Sequence, residues 1–113
     1  MAAELNLEAL RDEIDKIDEV IVRLLDSRAR CAYSVGRLKH ALGRPVYEPA
    51  REAAVIAHVR QVNAGLGGPL DGDAVARLYE RIMDEARRIQ RLEAERDAKQ
   101  TSDEAAGTSS GTE

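Results

Sequence analysis

The sequence predicts an all-α fold, with three helices per chain and a first helix too long for one small chain to cover. Three observations predict it. Apolar residues recur in alternating steps of three and four over long windows, which is the rhythm of one helix face. Phe and Trp are absent and 34% of residues are charged, a composition closer to a helical bundle than to a sandwich or barrel. The hydrophobic share, 43%, still allows 113 residues to form the core of one domain.

The first helix is read from Leu7, Leu10, Ile14, Ile17, Ile21, Leu24, Arg28, Cys31, Val35 and Leu38, a sustained heptad-like stripe. Asn6 can cap its start. The opposite face carries Asp12 with Lys16 and Glu19 with Arg23, opposite charges one helical turn apart. Gly43, Arg44 and Pro45 end the run. The helix is then about 36 residues, or ~54 Å. A compact globule of this size has a radius of gyration of only ~13 Å, so one chain cannot cover both ends of the stripe. A second copy of the chain is the simplest partner.

A second helix is expected from about Pro49 to Asn63, with proline at a favoured first position and Val55, Ile56, Val59 and Val62 on its apolar side. The stretch 65-GLGGPLDG-72 is a loop; its glycines follow no strand, so they do not read as a dinucleotide-binding turn. Asp71 can cap a third helix, expected from about Gly72 to Ala98, with Val75, Leu78, Tyr79, Ile82, Met83, Ala86, Ile89 and Leu92 as its stripe. Residues 1–98 are thus read as one helical domain, and 99–113, KQTSDEAAGTSSGTE, as a disordered tail.

A net charge of −4 and a pI near 5.3 argue against general affinity for nucleic acid or anionic membrane, though a local cationic pocket remains open. Cys31 is the only cysteine, so no intrachain disulfide can form, and its place on the stripe reads as plain core. The N-terminal residues lack the basic and apolar regions of a secretory signal, and no stretch is long enough to span a bilayer. A cytoplasmic protein is the expectation.

Five polar residues lie on or beside the apolar stripes: Arg11, Arg28, Lys39, Arg51 and Gln90. Burying cations among leucines is costly unless an anion meets them. Arg28 and Lys39 fall within about 20° of the same helix face, ~16 Å apart along the axis, so two long side chains leaning together could hold a small dianion. Arg11 points roughly 100° away from Arg28, toward a different site or a partner chain. Taken singly, each cation also reads as a snorkelling residue paired with an acid on a dimer seam. Arg28 resists that reading most, because the apolar rhythm resumes on both sides of it.

Other candidates carry less. Glu48 and Glu52 stand one turn apart, but helix starts attract acids anyway. His40 and His58 lack metal-ligand spacing, and no metal is expected. Tyr33, Tyr47 and Tyr79 read as packing residues. Gly36 costs helix stability, which points to close packing or room for a ligand.

With these residues in view, the sequence resembles the all-helical chorismate mutase family. The matching pieces are 9-ALRDEIDKID-18, 28-RARCAYSVGRLK-39, 44-RPVYEPARE-52 and 82-IMDEARRIQ-90, which span most of residues 5–92. Each is weak alone; the order and spacing of Arg11, Arg28, Lys39, Arg51, Glu52 and Gln90 together are more specific. The resemblance implies an intertwined homodimer of three-helix chains, each active site taking Arg11 from the partner chain. The implied substrate, chorismate, carries two carboxylates. Its rearrangement to prephenate, in aromatic amino-acid biosynthesis, calls for no nucleophile, metal or redox cofactor.

By the same resemblance, Arg11 and Arg28 would bind the carboxylates. Lys39 and Gln90 would be the catalytic donors to the ether oxygen, with Lys39 also touching a carboxylate. Glu52 would accept from the ring hydroxyl, the backbone near Glu48 would assist, and Arg51 would support the pocket. Val35, Val55, Met83 and Ala86 would line it. The chain departs from the family pattern at Glu48, where Asp is frequent, and at Ala86, where a Ser can help bind a carboxylate. Arg87 and Arg88 add positive charge nearby, either in compensation or as surface residues. Two rival reactions share the fold: isochorismate pyruvate-lyase and 4-amino-4-deoxychorismate mutase. Glu52, an acceptor for a hydroxyl, favours chorismate. A third reading is a non-catalytic helical dimer that binds a partner protein, and a fourth is an enzyme whose site is ordered by a partner enzyme.

Overall fold

The computed structural model describes residues 6–110, with side chains described through residue 105. Among them there are three helices and no strand: α1 (Leu7–Ala41), α2 (Pro49–Leu66) and α3 (Gly72–Ser110). The chain divides into two compact units, Met1–Cys31 and Ala32–Glu113, with the boundary inside α1.

The helix ends follow the signals in the sequence. Asn6 Oδ1 accepts from the Ala9 amide at 2.7 Å, and Asp71 Oδ1 accepts from the Ala74 amide at 2.7 Å. Each satisfies one of the amides that a helix start leaves without a partner. At the end of α1, Gly43 takes φ 68°, and the Arg44 amide reaches back to the Lys39 carbonyl at 2.8 Å. This is a left-handed helix stop that glycine adopts without steric cost. Helix α2 opens with Pro49, which removes an amide that would otherwise need a partner. It runs through Leu66, three residues beyond the expected end at Asn63. Neither Asn63, Ala64 nor Gly65 breaks it; Gly67, left-handed at φ 63°, does.

Among the described residues, the first unit is a single amphipathic helix segment. Its stripe is exposed in the chain: Leu10 is 46%, Ile17 50% and Leu24 64% accessible. Cys31, expected in a core, is exposed as well. The reason is the same for all of them: none of the described residues of their own unit folds back over this face.

The second unit contains the core. Ala32, Val75, Ala76 and Met83 are buried, and Gly36 is buried in α1. Helices α2 and α3 form an antiparallel hairpin. It is tied at the loop end by Asn63 Nδ2 donating to the Leu70 carbonyl at 2.8 Å and by Arg60 with Asp73 at 2.9 Å. The last turns of α1 run parallel to α3: Gly36 faces Gln90, Arg37 faces Glu93 at 3.6 Å, and His40 faces Asp97 at 3.1 Å.

Helix α3 does not stop near Ala98. It continues through Ser110, so residues 99–110, expected as part of a disordered tail, are helical. Residues 93–106 contain no Gly or Pro and are rich in Ala and Glu, both good helix formers. Thr101 Oγ1 donates to the Asp97 carbonyl at 2.9 Å, and Gln100 reaches Glu104 one turn on. Apolar periodicity, which is missing from this stretch, reports a helix face that packs rather than a helix as such. Residues 111–113 lie outside the described part. No helix among the described residues is long and apolar enough to cross a membrane.

Candidate active site

The second unit gathers Lys39, Glu48 and Gln90 from three segments of chain. Lys39 stands in the last turn of α1, Glu48 at the N-cap of α2, and Gln90 on the buried face of α3. The Lys39 ammonium donates to the Val46 carbonyl at 2.8 Å, to Gln90 Oε1 at 3.1 Å and meets Glu48 Oε1 at 3.1 Å. An ammonium has three donors, and all three are engaged. Gln90 offers its carbonyl oxygen to Lys39, which leaves its amide nitrogen as the outward donor.

Local sequence explains each placement. Gly36 lies one turn before Lys39, and a Cβ there would stand 2.8 Å from Gln90 Cγ and 3.2 Å from Gln90 Cα. Only a glycine lets α1 approach α3 this closely, and the approach carries the Lys39 side chain to Gln90. Of the two readings open for Gly36, close packing is the one observed. Glu48 occupies an N-cap position but makes no side-chain cap bond. Its carboxylate turns to Lys39, and Arg44 adds a longer contact at 3.4 Å. The hydrogen bond from Lys39 holds the Glu48 carboxyl below its ordinary range; Lys39, Arg44 and Arg51 add to this through charge, and desolvation partly opposes it.

One turn further along α2, and one turn back along α3, lies a second ion pair. Arg87 Nη1 donates to Glu52 Oε1, and Arg87 Nη2 donates to Asp84 at 2.9 Å. The guanidinium lies 5.7 Å from the centroid of the Tyr47 ring, within cation–π range. Tyr47, expected only to pack, thus serves as a platform. The Arg87 pKa is raised, chiefly by the bond to Glu52, against a smaller opposing effect of burial.

The remaining expected residues are distributed as follows. Met83 is buried; Val55 and Ala86 are half-buried; Val35 is 43% accessible. Arg51 is exposed and contributes its charge to Glu48. Arg88 is a surface residue paired with Glu85 at 3.1 Å. Arg28, half-buried, and Arg11, paired with Glu8 at 3.6 Å, belong to the first unit. The reading from sequence missed the Arg87–Glu52 pair. A signal was present: Met83, Arg87 and Gln90 fall at steps of four and three, so Arg87 shares a helix face with two buried residues. Glu93, buried on the same side of α3 beside Arg37, was missed too.

Donors with fixed or strongly held charge, an amide and two ion-paired carboxylates line up where three helical segments meet. A protein of this class is an all-helical scaffold that holds hydrogen-bond donors in a half-buried cluster. Comparison with known proteins narrows the class. The profile of the family described as chorismate mutase type II matches residues 10–91. The bifunctional chorismate mutase/prephenate dehydratase of Pseudomonas aeruginosa is 48% identical over 88 residues, covering 74% of this chain and 23% of that protein. The T-protein of Enterobacter agglomerans is 38% identical over 86 residues, covering 76% of this chain and 22% of its own length. Among solved structures, a chorismate mutase (form II) from Thermus thermophilus superposes with a TM-score of 0.71 at 32% identity, covering 75% of this chain and 93% of that one. The chain therefore belongs to the type II chorismate mutase family. It spans less than a quarter of the length of the curated relatives it matches.

Proposed function

We propose that this chain is a chorismate mutase, an isomerase that converts chorismate to prephenate in aromatic amino-acid biosynthesis. The observation that carries the reading is the Lys39–Gln90 pair, 3.1 Å apart across α1 and α3, in a chain of this family. The reaction is a unimolecular Claisen rearrangement. A C–O bond breaks while a C–C bond forms, and negative charge builds on the ether oxygen. Catalysis then consists of holding the chair-like conformer and stabilising that charge.

In this reading Lys39 and Gln90 are the catalytic donors to the ether oxygen. Gln90 uses the amide nitrogen that its bond to Lys39 leaves outward. Lys39 gives up one of its three present acceptors. Glu52 accepts from the ring hydroxyl, the chain near Glu48 assists, and Arg51 supports the pocket. Val35, Val55, Met83 and Ala86 line it. Arg28 and Arg11 bind the two carboxylates, for which the planar guanidinium fork is suited.

Arg11 comes from a second copy in an intertwined homodimer. The exposed stripe of α1 supports this: covering one leucine or isoleucine is worth ~1.5–3 kcal/mol, and the stripe has many. A water-soluble dianion as substrate suits a cytoplasmic enzyme that needs no nucleic acid, membrane or cofactor.

The test is to follow the purified chain, Lys39→Ala and Gln90→Ala on chorismate. Removal of one preorganised donor should cost ~3–4 kcal/mol of barrier, about 10²–10³ in kcat, with helix content retained. Near-normal turnover in either variant contradicts the roles. Lack of turnover in the unsubstituted chain favours a non-catalytic helical dimer.

A further inference from the structure

The two acids at the start of α2 each have a cation of their own, from different helices. Glu48 is met by Lys39 of α1 at 3.1 Å, and Glu52 by Arg87 of α3. The second pair is held more tightly than a surface ion pair requires. Arg87 and Glu52 are 22% and 23% accessible at their side chains, so solvent screens them only in part. The guanidinium is fixed a second time by Asp84 and a third time by the face of Tyr47. A long side chain held on three sides is already ordered before any ligand arrives.

We propose that Arg87 is a positioning residue for Glu52. It fixes the Glu52 carboxylate through Oε1, so that Oε2 is presented to the ring hydroxyl of a chorismate-like dianion. The inference rests on the chorismate mutase reading above. Arg87 also offsets the charge of Glu52. Two carboxylates one turn apart would repel a doubly negative substrate; Lys39 offsets one and Arg87 the other. Direct binding of a substrate carboxylate by Arg87, in place of a hydroxyl at Ala86, is the weaker alternative. Both terminal nitrogens of Arg87 are engaged by protein carboxylates.

The experiment is a double-mutant cycle with Arg87→Met, Glu52→Gln and the pair, with Arg87→Lys as a conservative control, each checked by circular dichroism. A hydroxyl contact is made in ground and transition states alike, so its loss should appear mainly in KM. Arg87→Met should raise KM about tenfold or more, with kcat changed by less than about threefold. The double variant should be no worse than Glu52→Gln alone, because Arg87 acts through Glu52. Arg87→Lys should recover part of the loss. Independent, multiplicative effects would overturn the inference in favour of direct carboxylate binding. Unaltered KM in Arg87→Met, with the unsubstituted chain active, would overturn it alone. No turnover by the unsubstituted chain would overturn the functional reading, and this inference with it.

Discussion

Replacing Gly36 by alanine should make the protein a poor catalyst without unfolding it. The new methyl would stand 2.8 Å from Gln90 Cγ, 3.1 Å from its Cβ and 3.2 Å from its Cα. Rotation of the Gln90 side chain relieves the first contact but not the last, which is backbone. Helix α3 must therefore shift by a few tenths of an ångström, or α1 must tilt, and either moves the Gln90 amide relative to Lys39. Alanine is better than glycine inside a helix by ~1 kcal/mol. Overpacking costs ~1–3 kcal/mol. The two nearly offset, so the melting temperature should change little or fall modestly. Activity has no such compensation. A displaced preorganised donor forfeits up to ~3–4 kcal/mol, or about 10²–10³ in kcat. Gly65→Ala is the control: it lies in α2 with nothing within 4 Å of its added methyl, and should leave kcat unchanged. Absorbance loss of chorismate and thermal melting, run together, decide the matter. A Gly36→Ala protein with normal kcat would refute the claim that close approach of α1 and α3 sets the catalytic geometry.

Three further outcomes are expected. The Glu48 carboxyl is held below its ordinary range, chiefly by Lys39, so its stabilising contribution is complete above the unfolded-state value and is lost as pH falls through the folded one. Urea midpoints of the native chain and Glu48→Gln should therefore differ at neutral pH and converge as the pH falls below the ordinary carboxylate range; a gap independent of pH would contradict this. Arg11→Ala and Lys39→Ala, each expected to be inactive, should complement each other when unfolded and refolded together, since a mixed pair in the proposed dimer would hold one intact site. Recovery should approach roughly a quarter of the native site concentration, whereas no recovery would place Arg11 within its own chain's site. The Arg87 cycle described above should show its loss in KM and vanish on a Glu52→Gln background.

Much of the fold could be read from local chemistry. Asn6, Asp71, Pro49 and Gly43 mark helix ends because each solves a backbone problem within a few residues, with no need of the rest of the chain. The far end of α3 escaped because its helix follows from residue propensity with no packed face to betray it. The candidate site was legible to different degrees. Arg28 and Lys39 stood out as cations on an apolar stripe. The meeting of Lys39 with Gln90 is a contact between residues 51 apart in sequence, and periodicity alone does not encode which turns of two helices face each other. Family spacing supplied that register. Arg87 was visible only as added charge, because its partner Glu52 looked like an ordinary acid at a helix start. Gly36 was noticed for its cost to α1, and only the fold shows that the cost admits Gln90.

The central claim is tested most directly by incubating the purified protein separately with chorismate, isochorismate and 4-amino-4-deoxychorismate, and identifying the products by mass spectrometry. The three differ in whether a hydroxyl, an amine or only hydrogen stands at the ring position that Glu52 is proposed to recognise, while offering similar carboxylates to the cations. Prephenate from chorismate, with little turnover of the other two, is the predicted result. Preferred turnover of isochorismate or the amino compound, or of none, would contradict it.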